Sequence, residues 1–172
     1  MSLSGRQGEA ARILELAIVV HHRLMEWNPR SGPFRHGLAL ALLHSGRVQV
    51  QLGLPRRAEP ALRQALGLMR QLVQDDPLVK EYWATRLLAA GYLGEAFFRQ
   101  GRTVAAAELL QEVEKDGEEV LGGSPRPDQA AEAPVKNRGL RGQHARLLHV
   151  LGYLERESGD LDRGLGACRK AH

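Results

Sequence analysis

The chain has 172 residues, of which 43% are hydrophobic and 26% charged, a balance typical of a folded globular protein. Aromatic residues make up only 5%, so a core must consist mainly of Leu, Ala and Val, which favours packed helices over a β-sandwich. The single cysteine, Cys168, excludes an internal disulfide, and no apolar run approaches the roughly 20 residues of a membrane helix. We therefore expect a cytoplasmic protein without a membrane segment.

The net charge of +4 and the pI of about 9.6 raise the question of nucleic-acid binding. The arginines, however, are scattered singly along the chain and are not clustered with aromatic side chains. This distribution argues against a nucleic-acid partner.

Apolar residues three or four apart predict seven helices. The predicted helices cover residues 7–27, 33–52, 55–75, 78–100, 103–121, 139–157 and 160–171. Gly53 and Gly101 end two of them, because glycine adopts the left-handed conformation of a helix C-cap at little cost. Pro55 suits the first turn of the helix that follows Gly53. Residues 122–138 are rich in Pro, Ala and Gly and have no helical apolar pattern, so we expect a flexible insertion there.

The predicted helices follow an internal repeat of 48 residues. Three series share this spacing: Gly5, Gly53 and Gly101; Ala10, Ala58 and Ala106; and Pro29, Pro77 and Pro125. Gly152 and Gly159 keep the seven-residue separation of Gly46 and Gly53 but lie ten residues later than the period predicts, which the insertion explains. Each unit is thus a helical hairpin. We expect one domain over residues 1–172, with complete units at 31–77 and 78–125 and incomplete ones at 1–30 and 139–172.

The spacing of small and large residues within each unit resembles the tetratricopeptide repeat, a helix-turn-helix unit of about 34 residues. When the units are aligned on the family, its eighth position, a glycine, corresponds to Gly46, Gly94 and Gly152. Its small residue at position 20 corresponds to Ala58, Ala106 and Gly164. Its large apolar residue at position 24 corresponds to Leu62, Leu110 and Cys168. The family's Trp and Tyr positions are not retained, and both helices are longer by about two turns. The resemblance implies an all-α fold, a right-handed superhelical array of antiparallel helix hairpins.

The glycines at the eighth position have a structural interpretation. A glycine inside a helix costs about 1 kcal/mol relative to alanine. Its recurrence at Gly46, Gly94 and Gly152 predicts that the partner helix packs too closely for a side chain.

The resemblance also implies a binding groove, because the first helices of such units line the concave face of the array. The positions that point into that groove fall on Leu43, Arg47, Gln51, Glu95, Phe98, Arg99, Arg146, His149, Tyr153 and Arg156. The set mixes apolar anchors with arginines, whose guanidinium forks bind carboxylates. We therefore expect a protein or peptide partner, with an acidic segment or a peptide C-terminus favoured. The alternative is that these arginines only face solvent or pair with neighbours such as Glu95.

Motifs that would indicate catalysis or a cofactor are absent from the sequence, which has no G-x-x-x-x-G-K-[ST] loop, no G-x-G-x-x-G after a strand and no H-E-x-x-H. His21 and His22 are adjacent on a helix and therefore about 100° apart, a poor arrangement for sharing a metal. The acidic run from Glu112 to Glu119 is interpreted as a solvated face. The sequence thus predicts no enzyme, no cofactor and no metal.

Two functions follow from these observations. The first is a non-catalytic scaffold that binds a protein or peptide in the concave groove. The alternative is a regulatory or self-association domain of a larger multidomain signalling or transcription-regulatory protein. Residues 13–20 are apolar on more than one side of their helix, which suits either a preceding helix of a longer array or a second copy in a homodimer. The incomplete outer units also predict that the chain is part of a longer array.

Overall fold

The computed structural model describes residues 3–121, with side chains described for residue 9 and residues 11–116, and the regular structure over this range is entirely helical. Five helices follow one another: α1 (Leu3–Trp27), α2 (Gly32–Gln51), α3 (Pro55–Asp75), α4 (Lys80–Arg99) and α5 (Thr103–Leu121). The first five predicted helices are confirmed, with ends that differ by at most four residues. The predicted helices at 139–157 and 160–171 and the insertion at 122–138 lie outside the described residues.

Local signals in the sequence set the helix ends. The Ser31 hydroxyl caps α2 by accepting a hydrogen bond from the Phe34 backbone N–H at 3.4 Å, which satisfies one of the donors that a helix start leaves unpaired. Gly53 follows α2 with φ of +74° and Gly101 follows α4 with φ of +77°, the left-handed conformation that favours glycine. Pro55 occupies the first turn of α3, where its missing N–H costs nothing. These residues set both ends of α2, the start of α3 and the end of α4 close to where the sequence predicts.

The helices pack as neighbours along the chain, and α2 also packs against α4. The helices that open the two successive hairpins, α2–α3 and α4–α5, therefore lie side by side. One main core contains buried residues of α2 to α5, mostly Leu, Ala and Val, and Ile18 and Met25 of α1 pack against it. The largest fully buried side chains are Leu38, Leu43, Leu62, Met69, Leu72, Leu87, Leu93 and Leu110.

Glycines at equivalent positions bring α2 close to α3 and α4 close to α5. A Cβ atom built on Gly46 would lie 2.7 Å from Cδ2 of Leu62, and one built on Gly94 would lie 3.0 Å from Cδ1 of Leu110. Both leucines are completely buried, so neither has free space to move into. The predicted close packing is confirmed at Gly46 and Gly94, whereas Gly152 lies outside the described residues. The two contacts recur at the 48-residue period of the sequence.

Candidate functional site

The candidate site is a surface along the C-terminal halves of α2 and α4, which we call the α2/α4 face. Arg47 and Gln51 are four residues apart on α2, and Glu95 and Arg99 are four residues apart on α4, so each pair follows one side of its helix. Gln51 and Arg99 are exposed, and Arg47 and Glu95 are half-buried. The helices α2 and α4 pack against each other, and Arg99 contacts the α2 backbone at Val50, beside Gln51.

Arg99 joins the two helices of the α2/α4 face. Its Nη1 donates a hydrogen bond to the Val50 carbonyl of α2 at 3.1 Å, and its Nη2 donates to Glu95 Oε1 at 2.6 Å. Both ends of the guanidinium are therefore engaged within the chain. The alternative that an arginine of this face pairs with a neighbouring glutamate holds for Arg99 and Glu95.

Arg47 has a different environment. It is half-buried, and its Nε is buried without a hydrogen-bond partner. None of the ion pairs found among the described residues includes it. The pKa of His44, one helical turn away, lies below its ordinary value, first because the ring is partly buried and second because of the positive charge of Arg47. A partner carboxylate would supply the counter-charge that the described residues do not give Arg47.

The two apolar groove candidates of the described range differ in accessibility. Leu43 is completely buried in the core, because it lies one turn before Gly46 on the side of α2 that packs against other helices. It is therefore not available to a partner. Phe98 is half-buried and packs against the same core, which leaves part of its ring at the surface. The remaining candidates, Arg146, His149, Tyr153 and Arg156, lie outside the described residues.

A second polar contact joins α2 to α4 nearer their N-terminal ends. His36 Nε2 lies 3.1 Å from Thr85 Oγ1, and the Thr85 hydroxyl donates a hydrogen bond to the Glu81 carbonyl at 2.8 Å. Because the hydroxyl proton is used in that bond, Thr85 accepts and His36 Nε2–H donates. Burial lowers the pKa of His36, and the Glu81 carboxylate opposes this only in part. Folding therefore favours the neutral form of His36.

The lowered pKa values of His36 and His44 predict that acid destabilises the fold. Because the unfolded chain binds these protons more readily, stability is complete above the ordinary histidine pKa of 6.5 and falls as the pH drops through the lowered folded-state values. We expect the melting temperature to decrease between pH 7.5 and about 5.5, above the range where carboxylates titrate. The double variant His36→Gln/His44→Gln should flatten this dependence, whereas His22→Gln, at an exposed position of α1, should leave it unchanged. An unaltered slope in the double variant would contradict the prediction.

The structure also contains a cleft that the sequence did not predict, between α3 and α5, with a volume of about 420 Å³. Its floor includes Leu66, Leu93 and Phe97, which are buried. Leu93 lies two residues before Glu95, and Phe97 lies two residues before Arg99. Two residues correspond to a rotation of about 200° around the axis of α4, so the cleft opens on the opposite side from the α2/α4 face. Its charged rim residues are Arg63, Arg70, Arg102, Glu108 and Glu112.

The arginines of the cleft rim have counter-charges within the chain. Arg70 pairs with Glu112 at 2.6 Å, and Glu59 accepts hydrogen bonds from Arg63 at 2.8 Å and from Arg102 at 3.0 Å. Burial raises the pKa of Glu59, but the hydrogen bonds from Arg63, Arg102 and Gln100 outweigh burial, so the net pKa is lowered. The positive charges of the rim are thus neutralised within the chain, so the rim should attract an acidic partner less strongly than Arg47 does.

Sequence reasoning missed the cleft, although one signal for it exists. Arg63, Leu66, Gly67 and Arg70 are spaced i, i+3, i+4 and i+7, which places them along one side of α3. The α5 residues on the other side of the cleft lie about 40 residues later in the chain, as Glu112 does relative to Arg70. A single sequence does not show which sides of two such helices face each other. The acidic run of α5 was interpreted as a solvated face. Glu112 is exposed, in agreement with that interpretation, although it also pairs with Arg70. Asp116 is half-buried and pairs with the buried Arg86, which the interpretation missed.

Comparison with known proteins assigns no family, since no family model and no curated protein matches the chain. Across the described range, none of the helices is long and apolar enough to cross a membrane. Nor do any three His, Cys, Asp or Glu side chains of that range form a group that could hold a metal ion. A family assignment therefore rests on the residues of this chain alone.

Proposed function

We propose that the chain is a non-catalytic scaffold of tetratricopeptide-like hairpins that binds an acidic segment of a protein partner along the α2/α4 face. The observation that carries the proposal is Arg47, a half-buried residue whose Nε has no hydrogen-bond partner and which is in none of the ion pairs among the described residues.

The arrangement of α2 and α4 supports the repeat part of the proposal. His36 contacts Thr85 and Val50 contacts Arg99, and both pairs are separated by 49 residues, so the two helices run in the same direction with a constant offset. The glycine–leucine contacts of the two hairpins share the 48-residue period. In a superhelical array of such hairpins, helices equivalent to α2 and α4 would form the concave surface.

The chemistry of the face supports the partner class. A hydrogen bond to a charged group contributes about 1.5–3 kcal/mol, and a guanidinium can form two such bonds with one carboxylate. Gln51 beside Arg47 offers an amide for hydrogen bonds to the partner's backbone, and the exposed part of Phe98 offers an apolar contact. A segment with Asp or Glu near a Leu or an aromatic residue fits this combination.

Selection of random peptides displayed on phage against the purified chain tests the proposal. We expect the selected peptides to be enriched in Asp and Glu. Arg47→Ala should weaken their binding at least about tenfold, as the loss of a single charged hydrogen bond implies. Binding to the wild type should also weaken with added salt, because an accessible charge pair is screened.

Arg70→Ala is the matched control, because Arg70 lies on the rim of the α3/α5 cleft and is already paired with Glu112. It should leave the affinity of the selected peptides unchanged. If Arg70→Ala weakens binding and Arg47→Ala does not, the partner uses the cleft, and the α2/α4 face is not the binding site.

A further inference from the structure

Helix α1 carries an exposed apolar stripe. Its members Ile13, Leu16, Val20 and Trp27 are 59%, 67%, 54% and 80% exposed. At 100° per residue they lie within about 60° of one another around the helix axis. The opposite side of α1 places Ile18 and Met25 against the core. Exposed large side chains in such a row mark an interaction surface.

Exposed charges of alternating sign run beside the apolar stripe. Arg12, Glu15, Arg23 and Glu26 are all exposed, and they follow the same edge of the stripe in the order plus, minus, plus, minus. This order is complementary to itself when it is reversed. A second α1 running in the opposite direction would therefore meet opposite charges.

We propose that α1 pairs in antiparallel orientation with α1 of a second copy of this chain. Leu16 of one copy lies opposite Val20 of the other, which joins the apolar stripes. In the same register Arg12 faces Glu26 of the second copy and Glu15 faces Arg23 of the second copy. Two-fold symmetry repeats each contact, so the pairing has four ion pairs around an apolar centre.

The charges also disfavour the other arrangements of two α1 helices. A parallel pair in register places Arg23 against Arg23 of the second copy. An antiparallel pair shifted so that Arg12 faces Arg23 brings like charges together as well, with Glu9 facing Glu26. Like charges in these positions oppose association. The proposed register is therefore selected by charge and by apolar contact together.

This pairing goes beyond the proposed function, because it uses α1 and leaves the α2/α4 face free. Its failure would not affect the peptide-binding test at Arg47, and a failure of that test would not affect the pairing. The proposed partner of the exposed apolar stripe is the same stripe of an identical chain.

Sedimentation equilibrium of the full chain tests the proposal, with a dimer as the expected result. Arg12→Glu should raise the dissociation constant about tenfold, since it turns two attractive contacts into two repulsive ones, and Glu26→Arg should act similarly. The charge-swapped double variant Arg12→Glu/Glu26→Arg should restore the wild-type dissociation constant. A monomeric wild type, or a double variant that is weaker than either single variant, would overturn the proposal.

Further variants distinguish this specific pairing from non-specific hydrophobic association. Leu16→Glu should give a folded monomer by circular dichroism, while Val104→Glu, at a side chain of α5 that is 71% exposed, should remain a dimer. In a Cys168→Ser background, Val19→Cys lies at the two-fold axis and should cross-link efficiently with a short bis-maleimide. Equal cross-linking of Val104→Cys would contradict the register.

Discussion

Replacement of Gly46 by Ala is expected to lower the free energy of unfolding by about 1–3 kcal/mol, the usual cost of overpacking a well-filled core. In an open helix the same substitution raises stability by about 0.5–1 kcal/mol, because alanine restricts the unfolded chain and favours the helix. The new Cβ, however, would lie 2.7 Å from Cδ2 of Leu62, a side chain with no exposed surface. Either α3 moves away from α2 or Leu62 leaves its preferred rotamer. Urea unfolding followed by circular dichroism measures the effect.

Gly67→Ala is the matched control, because no atom lies within 4 Å of the position that its Cβ would take. This variant should raise the free energy of unfolding by about 0.5–1 kcal/mol, the gain expected of alanine in an open helix. Gly94→Leu should also destabilise, since even a Cβ at Gly94 would lie 3.0 Å from Leu110 and a leucine adds three further carbons. If Gly46→Ala and Gly67→Ala stabilise equally, the helices are not held in close contact at the repeated glycine.

The positions of the helices could be predicted because the signals that set them are local. Gly53 and Gly101 adopt positive φ after α2 and α4, and the Ser31 hydroxyl caps the start of α2. The largest difference, four residues, occurs at the start of α1, which begins at Leu3 and not at the predicted residue 7. The close packing at Gly46 and Gly94 could be predicted from recurrence, because a costly residue type returns at one position of each unit.

The candidate site could be predicted less completely, because it depends on which helix sides meet. Alignment with the tetratricopeptide pattern placed Arg47, Gln51 and Arg99 on one face, and in the structure Arg99 contacts the α2 backbone at Val50, beside Gln51. The same alignment included Leu43, whose burial depends on contacts with other helices. Nor could the sequence distinguish Arg47 from Arg99, since a partner such as the Val50 carbonyl is 49 residues away in the chain.

The pair of Arg86 and Asp116 shows the same limit and has energetic consequences. The Arg86 side chain is only 6% exposed, and its guanidinium pairs with Asp116, whose side chain is 34% exposed. The guanidinium carbon also lies 5.4 Å from the centre of the Trp83 ring, close enough for a cation–π contact. Asp116 was one of the acidic residues assigned to a solvated face. In the structure it neutralises the most deeply buried cation of the ion pairs found in residues 3–121.

Asp116→Ala is therefore expected to lower the free energy of unfolding by about 2–3 kcal/mol, because it leaves the buried Arg86 charge without a partner. The value lies below that for a completely buried pair, since water already reaches Asp116 and screens the interaction. Arg86→Met should cost less, about 1 kcal/mol, because methionine keeps the apolar contact with Trp83 and leaves only a carboxylate that water can solvate.

The double variant and a neighbouring ion pair complete this test. Arg86→Met/Asp116→Ala should be more stable than Asp116→Ala alone, because removal of the buried charge removes the need for its partner. Glu112→Ala breaks an ion pair one turn earlier on α5, but both side chains of that pair are about half exposed, so its cost should be about 0–1 kcal/mol. If Asp116→Ala is as mild as Glu112→Ala, then water reaches the Arg86 guanidinium and the buried ion pair does not contribute to holding α4 against α5.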